Sequence, residues 1–213
     1  MPQLTEELLA RSVRALCRTD PDLARVVTRS GPPPLWEREP GFVTIVQIVL
    51  EQQVSLASAR AAYARLIGVA GAATPERLNA LDDRLLTAAG LTRQKAAYLR
   101  ALAAAIAGGD FDIDGVGALD DDRARAALVA LKGIGPWSAD IYLLMALGRP
   151  DVWPSQDLAL AVAMREVKRL RSVPSLERQL EIAESWRPWR AVAARILWHH
   201  YLSTPRRRSA MSR

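Results

Sequence analysis

Apolar residues recur every three to four positions along most of the chain, and a capping residue precedes most of those runs, so the pattern predicts an all-α protein with very little strand. Thr5 opens a helix over roughly 6–18. Asp20 caps a second, to about 29, with Pro21 at the first helical position, where a missing N–H is tolerated. Gly31 through Pro34 then breaks the chain. Residues 42–50, FVTIVQIVL, are β-branched enough for a strand, yet the apolar run continues through Val54 without a turn residue, and that length favours a buried helix. Ser55 caps the next helix, to about 68; Thr74-Pro75-Glu76 starts a short one and Thr92 a longer one ending at Gly108-Gly109. Six aspartates in 110–122, DFDIDGVGALDDD, read as a solvated connection feeding the positive end of a helix. Helices follow near 123–131, 137–147, 156–171, 175–185 and 188–203, then a basic tail over 205–213 that is expected to be disordered. No internal repeat is present.

Length and composition narrow the class. The 213 residues allow one domain or two tightly joined lobes, and a 50% hydrophobic content excludes a disordered chain. The net charge of +6 rests on 26 Arg and 3 Lys, which favours forked contacts to an anionic partner. Four of those arginines, Arg206, Arg207, Arg208 and Arg213, lie in the last eight residues, so residues 1–204 carry only +2. The single cysteine, Cys17, excludes an internal disulfide and a four-cysteine zinc or iron–sulfur site; with two histidines it also excludes most His/Cys metal sites. Cys17 falls on an apolar helix stripe and reads as a small core residue, while His199 and His200 read as structural or solvent-facing. No window approaches 18 uncharged apolar residues and the N-terminus lacks a signal-peptide core, so a soluble cytoplasmic protein without a membrane partner is expected.

The candidate chemistry starts at residues 131–139, LKGIGPWSA, between two helical segments. Gly133 and Gly135 allow positive φ and expose backbone N–H groups, and Pro136 presets the first turn of the following helix. Amides converging at a helix N-terminus attract an anion such as phosphate without a side-chain charge. On the glycines alone, an ordinary helix–turn–helix connection that binds nothing is the favoured reading.

The longer string resembles the helix–hairpin–helix DNA glycosylases: LKGIGPWSA is followed, twenty residues after Trp137, by Asp157 in DVWPSQDLAL. EQQVSLASA at 51–59 and SWRPWRAVAARILW at 185–198 narrow the likeness to the 3-methyladenine DNA glycosylase II branch, over roughly residues 38–202. The motifs begin near residue 40, which matches a short form without the additional N-terminal domain of larger members. The resemblance implies an all-helical unit over 1–204 in two lobes, about 40–148 and about 1–39 plus 149–204, with the active-site cleft between them. It implies a monomeric DNA N-glycosylase that flips alkylated purines, of the 3-methyladenine or 7-methylguanine type, out of double-stranded DNA in base excision repair. A glycosylase for hypoxanthine or etheno adducts and a noncatalytic helix–hairpin–helix DNA-binding protein are the alternatives.

Residue roles follow from the same likeness. Breaking an N-glycosidic bond builds positive charge on the sugar, so a carboxylate that stabilises it and orients a water is needed, and Asp157 matches that position. Asp157 also suits the N-cap of the helix that follows, a job for which Ser155 competes. Trp137 stands where lyase-active members carry a lysine nucleophile, implying an enzyme that leaves an abasic site, with Lys132 pointing elsewhere. Trp137 and Trp198 match walls of the base pocket, where an indole face suits a cationic alkylated ring. Ile141 and Tyr142 are further pocket candidates. Trp189, nine residues from Trp198 and so about 180° away around a helix, is assigned to the core with Trp186 and Trp153. Gln53 matches the residue that wedges into the duplex, flanked by Gln52 and Ser55. Gly133, Gly135 and Lys132 would contact the DNA phosphate, and carbonyls of Val129, Leu131 and Ile134 would hold a monovalent cation. No other cofactor and no iron–sulfur cluster is implied.

Overall fold

The computed structural model describes residues 3–204; the predicted tail, with Arg206, Arg207, Arg208 and Arg213, lies outside the described residues. Packing divides the described residues into two compact units, 38–147 forming one and 3–37 with 148–204 the other. Among the described residues there are twelve α-helices, one 3₁₀ turn and no strand. No helix among them is long and apolar enough to cross a membrane.

Helices α1 (Glu6–Thr19) and α2 (Pro21–Ser30) begin the two-segment unit. Thr5 accepts the Leu8 N–H at 3.2 Å, and Asp20 caps α2 through the N–H groups of Asp22 and Leu23 at 3.0 and 3.3 Å. Cys17 is half-buried rather than a core residue, because the stripe that packs inward is Leu9, Val13 and Leu16; burial still pushes its thiol pKa up, with the nearby Asp20 charge adding to the effect.

The continuous unit holds α3 (Phe42–Glu51), α4 (Leu56–Ala70), α5 (Pro75–Asn79), α6 (Asp83–Ala88), α7 (Arg93–Ala107), α8 (Asp121–Val129) and α9 (Pro136–Met145). The β-branched run is indeed a helix, and α3 packs on α4, α7 and α9. Each fully buried aliphatic side chain in such a core stabilises by about 1.5–3 kcal/mol, and α3 contributes Ile45, Val46 and Ile48 with no exposed surface. The expected continuation through Val54 does not occur, because Gln52 turns extended at ψ 124° and Gln53 adopts φ +58°. Helix α6 was not expected; Asp82 caps it through the Leu85 N–H at 2.8 Å. The aspartate-rich segment is more ordered than a plain connection: Gly115–Ala118 is a 3₁₀ turn, and Asp121 and Asp122 lie inside α8, capped by Asp120.

Helices α10 (Leu158–Val167), α11 (Leu176–Glu184) and α12 (Arg190–Ser203) complete the two-segment unit. Helix α10 is shorter than the pattern suggests, since Arg169 takes φ +55° beyond its C-cap. Every residue of α12 from Ala191 to Trp198 is buried, which fits a helix packed by α1, α2, α10 and α11. The Leu4 N–H to Gly148 carbonyl bond at 2.7 Å joins the two chain segments. Asp20 does so again, accepting the Lys168 ammonium at 2.6 Å and the Trp186 indole N–H at 2.7 Å. Trp186 and Trp153 stack tilted at 5.6 Å in this core, as assigned.

Candidate active site

Within the continuous unit, α8 hands over to α9 through a turn closed by the Ile134 N–H to Leu131 carbonyl bond at 3.1 Å. The two glycines of that turn differ. Gly133 sits at φ +89°, and a Cβ there would fall 2.2 Å from Cγ of Tyr98 on α7, so nothing larger fits. Gly135 is extended at φ −92°, ψ 177°, conformations open to any residue, which corrects the expectation of positive φ there. A Cβ at Gly135 would meet nothing within 4 Å. Within the protein, then, neither backbone conformation nor packing requires glycine at 135. Gly135 also begins α9 without a side-chain cap, the arrangement that lets a helix N-terminus serve an anion. Lys132 is exposed on the same turn.

The turn after α3 lies in this unit too. Gln53 is exposed, beside Val54 and Leu56 at 46% and 40% exposure. Gln52 and Ser55 flank it and also make hydrogen bonds within the unit. The Gln52 amide donates to the Gly133 carbonyl and to Ser138 Oγ, both at 2.9 Å, and Ser55 accepts the Ser58 N–H at 3.2 Å as the cap of α4.

In the two-segment unit, Asp157 is half-buried at the N-cap of α10, after a turn in which Gln156 takes φ +65°. Its Oδ1 accepts the Leu160 N–H at 2.8 Å and the Trp198 indole N–H at 3.3 Å. Capping and an indole contact thus meet on one oxygen, and Asp157 rather than Ser155 is the cap. Trp198 is 8% exposed. This corner of the unit offers a fixed negative charge at a helix N-terminus, partly open to solvent and edged by an aromatic ring. Such a charge can stabilise a developing cation and orient a water.

The model of the HhH-GPD superfamily of base excision DNA repair proteins matches residues 46–190. The chain belongs to that superfamily. Among curated relatives, the probable bifunctional transcriptional activator/DNA repair enzyme AlkA of Mycobacterium tuberculosis is 32% identical over 194 residues, covering 84% of this chain and 37% of that protein. The chain thus spans little more than a third of that relative. DNA-3-methyladenine glycosylase 1 of Schizosaccharomyces pombe is 27% identical over 180 residues, covering 83% of this chain and 79% of that one. The structure of the S. pombe 3-methyladenine DNA glycosylase Mag1 with abasic DNA matches with a TM-score of 0.81 at 26% identity, over 88% of this chain and 95% of that one.

The other sequence assignments divide. In this HhH-GPD chain Trp137 is half-buried one residue into α9. Tyr142 cannot line a pocket: it has no exposed surface, and its hydroxyl accepts the Gly41 N–H at 2.8 Å. Ile141, 3% exposed, is likewise a packing residue. Both point inward because α9 is buried from Ser138 to Leu144. Trp189 is half-buried at the N-cap of α12, not in the core, because the helix starts only after it. Of the histidines, His199 bonds the Ser30 carbonyl at 2.8 Å, and His200 lies between Arg29 at 2.6 Å and Glu166 at 3.1 Å. Among the described residues no group of three or more His, Cys, Asp or Glu could hold a metal ion. Two residues that the sequence reading missed stand under the turns of the continuous unit. Lys95 donates to the carbonyls of Leu50 and Gln52 at 2.7 and 2.9 Å, and Tyr98 fills the space below Gly133. An isolated lysine and tyrosine on an amphipathic helix carry no signal of such a role.

Proposed function

We propose that this protein is a DNA N-glycosylase that hydrolyses alkylated purines, of the 3-methyladenine and 7-methylguanine type, from duplex DNA and leaves an abasic site. The observation that carries the reading is the carboxylate of Asp157, held by the Leu160 N–H and facing the Trp198 indole N–H. The name of the S. pombe relative, a 3-methyladenine DNA glycosylase matched by sequence and by structure, supports the same substrate class.

The hairpin amides beside Gly135 take a backbone phosphate, with Lys132 adding a charge. Carbonyls of Val129, Leu131 and Ile134 leave the same stretch. Leu131 already accepts the Ile134 N–H, but each carbonyl has a second lone pair, and these neutral oxygens would hold a monovalent cation that supplies positive charge for the phosphate. Gln53 fills the gap left by the flipped nucleotide, whose extrusion costs a few kcal/mol. Trp137 and Trp198 offer indole faces, each worth about 0.5–2 kcal/mol to a cationic ring. Alkylation makes the base a good leaving group. The C1′–N bond breaks with its electron pair going to the cationic base, which leaves neutral; Asp157 stabilises the positive sugar, and a water oriented by the same carboxylate adds at C1′ and passes its proton to that carboxylate and on to solvent.

Trp137 has no amine with which to form a Schiff base, so the reaction stops at the abasic site. Free base should appear when duplexes containing 3-methyladenine or 7-methylguanine are incubated with the protein, and borohydride should trap no covalent adduct. Absence of release from a panel that also holds hypoxanthine and ethenoadenine would overturn the reading; a trapped adduct would overturn its monofunctional part.

A further inference from the structure

The two DNA-facing turns of the continuous unit are tied to each other, and helix α7 makes the tie. At the end of α3 the carbonyls of Leu50 and Gln52 converge on the Lys95 ammonium at 2.7 and 2.9 Å. These are helix-terminal acceptors, where a cation is favoured. Three residues on, over the same face of α7, Tyr98 lies under Gly133, so close that a Cβ there would sit 2.2 Å from its ring. Gln52 closes the loop, because its single amide nitrogen donates to both the Gly133 carbonyl and Ser138 Oγ at 2.9 Å. Residue 52 is therefore held by α7 through its backbone and by the hairpin through its side chain. On the far side, Ser55 is fixed as the cap of α4. Only Gln53 and Val54 remain between these anchors, both exposed and with Gln53 at φ +58°. Burial pushes the Lys95 pKa below that of a free lysine, because a partly enclosed ammonium loses hydration.

We infer that Lys95 and Gln52 are positioning residues that clamp the exposed turn at 53–54 to the hairpin, so that where the hairpin seats on a phosphate sets how far Gln53 enters the duplex. The inference rests on reading Gln53 as the wedge and the hairpin as the phosphate grip. The chemistry suits the task. A primary amide can donate to two acceptors at once, and an ammonium can bridge two converging carbonyls. A clamp of this kind leaves phosphate binding to the hairpin amides while denying the turn the freedom to withdraw as the duplex tries to restack.

The full chain carrying Gln52→Leu, Lys95→Met, Lys95→Arg, or the first two together tests this. The probe is a duplex with a tetrahydrofuran abasic analogue and a neighbouring 2-aminopurine, whose fluorescence rises on unstacking. Gln52→Leu and Lys95→Met should hold affinity within about threefold, while the fluorescence rise and the single-turnover release of methylated purine fall by roughly tenfold, the worth of one such hydrogen bond. Lys95→Arg, which still donates to both carbonyls, should recover most of the signal. The double variant should be no worse than the weaker single one, since both changes open the same clamp. Affinity and unstacking falling in parallel in every variant, or unstacking unchanged in both single variants, would overturn the clamp. Should Lys95→Met fail to fold, Gln52→Leu and Lys95→Arg decide the question alone. A wild-type protein that unstacks the probe but releases no base would sink the catalytic reading and leave the clamp standing.

Discussion

At position 157 a single carboxylate oxygen meets the Leu160 N–H and the Trp198 indole N–H, so substitution there disturbs a helix cap and an aromatic contact together. Asparagine separates charge from structure, because its side-chain oxygen caps a helix about as well as that of aspartate. Asp157→Asn should leave thermal stability and DNA affinity nearly unchanged while base release falls by about 10²-fold or more; single-turnover kinetics beside a melting curve check both halves, and undiminished release would remove Asp157 from the mechanism. The two hairpin glycines offer a second contrast. Gly133→Ala meets positive φ and the Tyr98 ring and should cost ~2 kcal/mol or more, a drop in Tm of about 4–8 °C. Gly135→Ala meets nothing in the protein, so its Tm should hold and only duplex affinity should fall. Equal melting temperatures for the two variants would contradict this account. Asp157 is nominated by its place in a recognisable string, and its helix cap is legible there; the contacts of Lys95 are not, because they exist only where two carbonyls from the end of another helix converge on it.

Helix starts were legible because a cap is a local event. Thr5, Asp20, Ser55, Thr74 and Thr92 each accept an N–H two or three residues on, as their positions before apolar runs imply. Helix ends were less so. Helix α3 stops at Glu51 and not beyond Val54 where Gln52 and Lys95 hold its last turn, and that arrest depends on residues 43 to 86 positions away in sequence. The junction of α1 and α2 carries its own pH dependence. Burial pushes the Asp20 carboxyl pKa up, but hydrogen bonds from Lys168 and Trp186 and the Lys168 charge outweigh it, and the group sits below the ordinary carboxylate value. A lowered pKa gives stability that is fully present above the unfolded value, about 3.9, and is lost as pH falls through the folded one. Asp20→Ala should therefore lower Tm markedly at pH 7 and by progressively less as the pH drops below about 4. Paired melting curves across that range provide the check, and a deficit that stays constant with pH would refute it.

Over the whole chain the net charge of +6 is modest for the proposed grip on DNA, and much of it lies beyond residue 204. On that proposal, backbone amides at the hairpin would carry part of the attraction without neutralising phosphates as cations do. Lys132→Ala should therefore make the slope of log affinity against log salt shallower by about 0.9, whereas Gly135→Ala should weaken binding at constant slope. Titrations at several salt concentrations test the pair, and an unchanged slope for Lys132→Ala would remove that lysine from the phosphate contact. The amino-acid order alone determined that the chain is helical, where most helices start, and which strings hold the hairpin and the carboxylate, because periodicity, capping and turn chemistry act over a few residues. The tertiary structure decided that Tyr142 and Ile141 are core, that Gln52 serves the fold, and that Lys95 and Tyr98 underpin both turns. Those outcomes depend on which faces meet when distant helices pack, and no local pattern encodes that.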